Sequence, residues 1–277
     1  MSSPTVAAES RTVASADGST IGYEVSGRGP AVVLVAPALA DRTDHRRFAA
    51  LLAQDRTVIN YDRRGRGSSS EASPWTVDRE VEDLAALIDA HGGSAALFGA
   101  SSGAVLALDA ANSLATRVER VVAFEPPVIV DDGRSPVPRE LSHDLDQLVR
   151  EERRSQALTH FMREALGAPA AMVFALRLMV PAWRQMTAMA HTAAYDVQLC
   201  TGLQDGAPIP EDRWTSIDAP VLVLVGEKSK GWAHAGTRAV ASATGGCVVT
   251  VRRAHHGTPA VRPEAIVTHV SDFLQEG

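Results

Sequence analysis

The chain has 277 residues, 45% of them hydrophobic and 22% charged, enough for one large core with an insertion and too few for two independent domains of ordinary size. Its 27 Lys+Arg against 33 Asp+Glu leave a formal charge of −6, which offers no electrostatic footprint for nucleic acid or an anionic membrane. The two cysteines, Cys200 and Cys247, lie far apart without metal-ligand spacing, so no disulfide framework is expected and the reducing cytoplasm is the expected compartment.

Met1 to Arg11 has neither a basic n-region nor an apolar h-region, so a signal peptide is not expected. No apolar run reaches the ~20 residues that a membrane-spanning helix needs. Arg11–Ser15 and Thr20–Ser26 flank an Asp17-Gly18 turn signal and read as a hairpin. Ala31–Val35 is a continuous apolar run, as a strand buried on both faces requires. Phe48, Leu51 and Leu52 follow at helical spacing, then a strand at Thr57–Asn60. Val77–Ala90 is an amphipathic helix with Val81, Leu84, Leu87 and Ile88 on one face. A strand at Ala95–Phe98 leads to a Ser101 turn and a helix from Gly103 to about Asn112. Strands at Arg120–Phe124, Val221–Val225 and Cys247–Val251 and a helix at Pro263–Leu274 complete the series. This alternation predicts an α/β fold with a mostly parallel sheet and helices on both faces.

From about Val130 to Arg213 the pattern holds no convincing strand, only helical stretches broken by Pro and Gly. Met162, Met172, Met179, Met186 and Met189 fall there, with Phe161, Phe174 and Trp183. A helical core accounts for such residues. A cap over an apolar ligand pocket does so as well, because thioethers adapt to irregular ligands.

Gly99-Ala100-Ser101-Ser102-Gly103 carries the chemistry. A small-apolar strand precedes it and an Ala/Leu-rich helix follows, the context in which Gly-x-Ser-x-Gly becomes a nucleophile elbow. The bland alternative is an ordinary Gly/Ser turn between strand and helix. A serine hydroxyl needs a base, and the C-terminal candidates are His255 and His256. No spacing such as His-Glu-x-x-His implies a metal, and no cofactor is expected.

Here the chain resembles the α/β-hydrolase superfamily, most closely its small prokaryotic esterase-like members. The matching pieces are Tyr61-Asp62-Arg63-Arg64-Gly65-Arg66-Gly67, the Ser101 elbow, Phe124-Glu125-Pro126-Pro127, and a His shortly before Pro263-Glu264. The resemblance implies an α/β-hydrolase fold with a core at 1–129 and 214–277 and a helical cap or lid at 130–213. It makes Arg63, Arg64 and Arg66 turn and surface structure rather than an anion site. His256 occupies the position of the family's base, with His255 as the alternative. The acid usually follows the strand at 221–225, where this chain reads Gly226-Glu227-Lys228-Ser229 and Ser229 replaces the expected Asp. Glu125, one strand over, is favoured, since neighbouring strands lie about 4.8 Å apart; Glu227 is the alternative.

The oxyanion hole is expected from the backbone N–H of Ser102 and one from the loop after 31–35. That loop usually begins His-Gly; here it is Ala36-Pro37, and Ala38 supplies the next amide. Ala100 likewise stands where the closest-looking relatives often have His. The expected pocket is therefore apolar, lined by Ala36, Ala100, Met162, Met186, Trp183 and His191, although for His191 and His234 a structural or exposed role has more weight. The expected function is hydrolysis of an ester, thioester or lactone of a small, largely apolar metabolite, with Ser101, His256 and Glu125 as triad. The rivals are a lyase, cyclase or isomerase using the same pocket, and a non-catalytic binding protein.

Overall fold

The computed structural model describes residues 8–71 and 73–275. Its eight strands are β1 (Glu9–Ala14), β2 (Thr20–Ser26), β3 (Ala31–Val35), β4 (Thr57–Tyr61), β5 (Ala95–Ala100), β6 (Val118–Phe124), β7 (Val221–Gly226) and β8 (Cys247–Val251). They form one sheet in the order β1-β2-β4-β3-β5-β6-β7-β8. β2 pairs antiparallel with β1 and β4, and every other pairing is parallel. The α/β-hydrolase architecture expected from the sequence is present.

Alternation along each strand divides the core into two layers. Val33, Val35, Leu97, Val121 and Val223 face one side, against α2 (Val77–Asp89) and α3 (Ser102–Leu114). Val32, Leu34, Phe98, Val122 and Leu224 face the other, against α1 (Arg46–Leu52) and the C-terminal helix at Glu264–Gln275. The chain passes from β3 outward to β4, then returns across β3 to β5. Direction thus reverses between β3 and β5, and the crevice beyond their carboxyl ends is where open α/β sheets bind ligands.

Between β6 and β7 lie α4 (Leu141–Arg150), α5 (Arg154–Glu164), α6 (Ala170–Leu178), α7 (Val180–Ala188) and α8 (Ala193–Leu199), with no strand among the described residues. They enclose their own cluster around Leu141, Leu158, Phe161 and Val197. Then come α9 (Gly231–Thr244), the short α10 (Thr258–Val261) and α11 (Glu264–Gln275). Sequence periodicity does not mark α9, because its buried face is small: Ala233, Gly236, Thr237, Val240 and Ala241. A Cβ at Gly236 would stand 2.2 Å from the Val128 carbonyl oxygen, so the helix lies close against that backbone. Among the described residues, no helix is long and apolar enough to cross a membrane.

Candidate active site

Ser101 lies between β5 and α3 at φ 53° and ψ −125°, a conformation that costs a residue with a Cβ about 1–3 kcal/mol. Its surroundings enforce the turn. The Ser101 N–H donates to the Phe124 carbonyl at 2.9 Å, which extends the β5–β6 pairing to the turn itself. A Cβ at Gly99 would lie 2.2 Å from the Gly103 oxygen, and one at Gly103 would lie 2.4 Å from the Val35 oxygen. The two glycines of the motif are thus spaces through which helix, strand and the loop after β3 approach one another. Ser102 opens α3, so its amide has no intrahelical acceptor.

Glu125 ends β6 at φ 46°, held by its N–H on the Leu224 carbonyl at 2.9 Å. Its carboxylate is almost fully buried and fully engaged. Oε1 accepts from the Gly226 N–H at 2.7 Å and from the Ser229 hydroxyl at 2.5 Å, and Oε2 meets His256 Nδ1 at 2.8 Å. Burial alone would raise the Glu125 pKa. Hydrogen bonds from His256, Ser229 and Gly226 outweigh it and hold the carboxyl below the usual carboxylate range. A charged Glu125 accepts a hydrogen bond from Nδ1–H, which fixes the tautomer that leaves Nε2 with the lone pair a general base needs.

The alternatives make other bonds. Glu227 Oε2 accepts from the Arg253 backbone N–H at 2.7 Å, and His255 Nδ1 accepts from Gly257 N–H at 3.2 Å. His234 sits in the first turn of α9, outside the cavity lining.

Ser101, Ser102, Glu125, His255, His256 and Ala38 line one cavity of about 340 Å³, within the range of small-molecule sites. Among the described residues no hydrogen bond joins Ser101 to His256; such bonds often tighten only with substrate bound. The remaining wall mixes apolar and charged groups, among them Phe161, Leu166, Val197, Trp232, Arg134 and Lys228. The wall is mainly apolar, as expected, but it is built from other residues than those expected. Ala36, Ala100, Met162, Met186, Trp183 and His191 are all absent from the lining.

Each absence has a packing reason. Ala100 packs in the sheet core and Met162 in the insertion core, where Met186 and Trp183 also rest. The buried face of α5 turns Met162 inward, and only Phe161 of that helix, with Ala165 and Leu166 just after it, reaches the cavity. Trp183 Nε1 donates to Ser155 Oγ at 3.2 Å. The Ala36 carbonyl accepts from Arg63, and His191 Nε2 bonds the Gly65 carbonyl at 2.8 Å. Met172 and Met179 are exposed.

The arginines also differ from expectation, for Arg63, Arg64 and Arg66 are fully buried. Arg63 grips Glu80 with two hydrogen bonds, of 2.8 and 2.7 Å, and Asp196 of α8 with a third of 2.7 Å. Arg66 bonds Asp196 Oδ2 at 2.6 Å and the Pro37 carbonyl at 2.6 Å. Asp196 Oδ1 also accepts from Ser102 Oγ at 2.7 Å. One carboxylate therefore joins the insertion, the loop after β3 and the residue beside Ser101. Its only sequence signal is an acid amid the apolar positions Ala193, Ala194 and Val197.

Burial would raise the Asp196 pKa, but the Arg66 and Arg63 guanidiniums and the Ser102 hydroxyl hold it below the usual range. A folded-state pKa below the unfolded value of about 3.9 gives stability that is full above that pH and lost as pH falls through the folded value. Asp196→Asn should cost about 3–5 kcal/mol at pH 7, because it leaves buried cations short of an anion. The deficit should narrow below about pH 4. Urea unfolding of both proteins across pH checks this; a deficit under ~1 kcal/mol, or one flat with pH, would refute it.

A model described as the alpha/beta hydrolase family matches residues 32–269. An alpha/beta hydrolase from Sphaerobacter thermophilus is 43% identical with a TM-score of 0.87, over 96% of this chain and all of that one. Two curated relatives match shorter stretches: the uncharacterized hydrolase YraK of Bacillus subtilis, 34% identical over 39% of this chain, and lipase LipV of Mycobacterium tuberculosis, 36% identical over 38%. These stretches span 42% and 41% of the relatives' own lengths.

Proposed function

The chain belongs to the alpha/beta hydrolase family, and from that premise we propose a serine hydrolase that cleaves an ester, thioester or lactone of a small metabolite. The observation that carries this reading is the Glu125–His256 hydrogen bond on the wall of the cavity that also holds Ser101.

The Ser101 oxygen attacks the substrate carbonyl while His256 Nε2 takes its proton, and the charged Glu125 stabilises the imidazolium. The oxyanion forms against the backbone N–H groups of Ser102 and Ala38, so Pro37, which has no N–H, is passed over. The bond to the leaving oxygen or sulfur breaks as His256 returns the proton to it. Water, deprotonated by His256, then cleaves the acyl-enzyme and frees the acid and Ser101. Residues 130–213 act as the cap over this site, and 1–129 with 214–277 as the core.

A fluorophosphonate tests the first half of this chemistry. Intact-mass analysis should show one adduct, mapped to the peptide holding Ser101 and absent from Ser101→Ala. Failure to react, where a control serine hydrolase does, would overturn the acyl-enzyme and favour a lyase, cyclase or isomerase reaction in the same cavity.

A further inference from the structure

Three cationic residues line the Ser101 cavity, Lys228, Lys230 and Arg134, and among the described residues none has a carboxylate partner. Arg134 donates to the Ala165 and Glu164 carbonyls and lies 5.0 Å from the centre of the Trp232 ring. Among the described residues, neither lysine ammonium has a hydrogen-bond or ion-pair partner. The nearby acids are engaged with other groups: Glu125 with His256, Ser229 and Gly226, Glu227 with Arg253 N–H, Asp131 with Gly133 N–H, and Asp196 with two arginines.

Lys228 and Lys230 are the only lysines in the sequence, the other 25 of its 27 Lys+Arg residues being arginine. In the described residues, every side-chain ion pair draws its cation from arginine or histidine. The structural ionic work is thus done by planar guanidiniums. The compact, mobile ammonium groups occur only at the cavity. Lys230 also precedes α9 without a side-chain cap, so among the described residues the Gly231 and Trp232 amides have no acceptor, while the Ala233 amide donates to the Lys230 carbonyl. A chain of formal charge −6 repels anions at long range, and cations acting within a Debye length of about 8 Å are what reverse this locally.

We propose that the substrate cleaved at Ser101 carries a carboxylate, held by Lys228 and Lys230 at the N-terminus of α9 and faced by Arg134. Its hydrocarbon part lies against Phe161, Leu166, Val197 and Trp232. This rests on the serine-hydrolase reading and names its substrate class.

Mono-p-nitrophenyl adipate and p-nitrophenyl hexanoate form a matched pair, differing only in a terminal carboxylate against a methyl. The kcat/KM of the first should exceed that of the second by about tenfold, a modest ratio because both lysines are exposed and screened. The ratio should fall towards one in Lys228→Met/Lys230→Met, and in the wild type as salt is raised. A wild-type ratio of one or less, or a ratio the double substitution leaves unchanged, overturns the proposal.

Should neither ester be hydrolysed, the hydrolase reading fails and lysine protection decides the anion site by itself. Adipate should slow acetylation of Lys228 and Lys230 relative to the N-terminal amine, read by peptide mass spectrometry. Equal rates with and without adipate would overturn the proposal, as would protection by hexyl phosphate alone, which assigns the site to a phosphoryl group.

Discussion

Ser101→Ala is expected to lower ester hydrolysis by about 10⁴–10⁶-fold while leaving the fold intact. The substitution removes the oxygen that bonds the acyl group and keeps the Cβ, so the strained backbone at φ 53° is occupied as before. The contacts that hold it, the Ser101 N–H on Phe124 and the close approach at Gly99 and Gly103, involve no side-chain oxygen. A thermal midpoint near wild type together with lost turnover of p-nitrophenyl hexanoate is the expected pair of results. Near-wild-type turnover would show that Ser101 is not the nucleophile and would transfer the chemistry to another group in the cavity.

Glu125→Gln is expected to cost about 10⁴ in kcat, as loss of the orienting carboxylate does in another hydrolase. The carboxylate accepts on both oxygens, from Gly226 and Ser229 on one and from His256 on the other. An amide has one accepting oxygen, so its NH2 must face a donor. If the NH2 faces His256, Nδ1 becomes the acceptor and the proton moves to Nε2, where the lone pair is needed. Glu227→Gln, equally conservative in size, should leave the rate near wild type, since Glu227 meets only the Arg253 amide. Parallel kcat measurements decide the matter. If Glu227→Gln is the crippling change, the acid sits after β7.

How far the sequence revealed this depended on the scale of the pattern. Strand alternation and the small-residue turn around Ser101 are local, set by pleat and close backbone approach within a few residues, and both are legible. The pairing of Glu125 with His256 could be anticipated from strand adjacency. That Ser229, standing where an Asp was expected, would donate to Glu125 could not, because a serine hydroxyl has no preferred partner that the sequence pattern marks. The methionines misled because hydrophobicity says that a side chain is buried and does not say against what: α5 turns Met162 into the insertion core and carries Phe161 to the cavity. Arg63 and Arg66 misled in the opposite direction. A charged run ordinarily indicates a solvated turn, and its burial depends on Glu80 and Asp196, which are 17 and 133 residues from Arg63.

The Asp196 junction also has a mechanical consequence. α8 is fixed to the core by two ion pairs, and by Tyr195 stacked on Trp75 at 4.9 Å. At the far end, α6 fully buries only Val173 and α7 no residue, Trp183 and Met186 being half-buried, and Phe174, Leu178 and Met179 stand in solvent. The insertion is built as a cantilever, clamped where it touches the elbow and the loop after β3, and compliant along α6 and α7. Leu166 of the cavity wall lies just before α6, where the firmly held part of the insertion gives way to the exposed one, so the groups around Ser101 take their register from the clamped side.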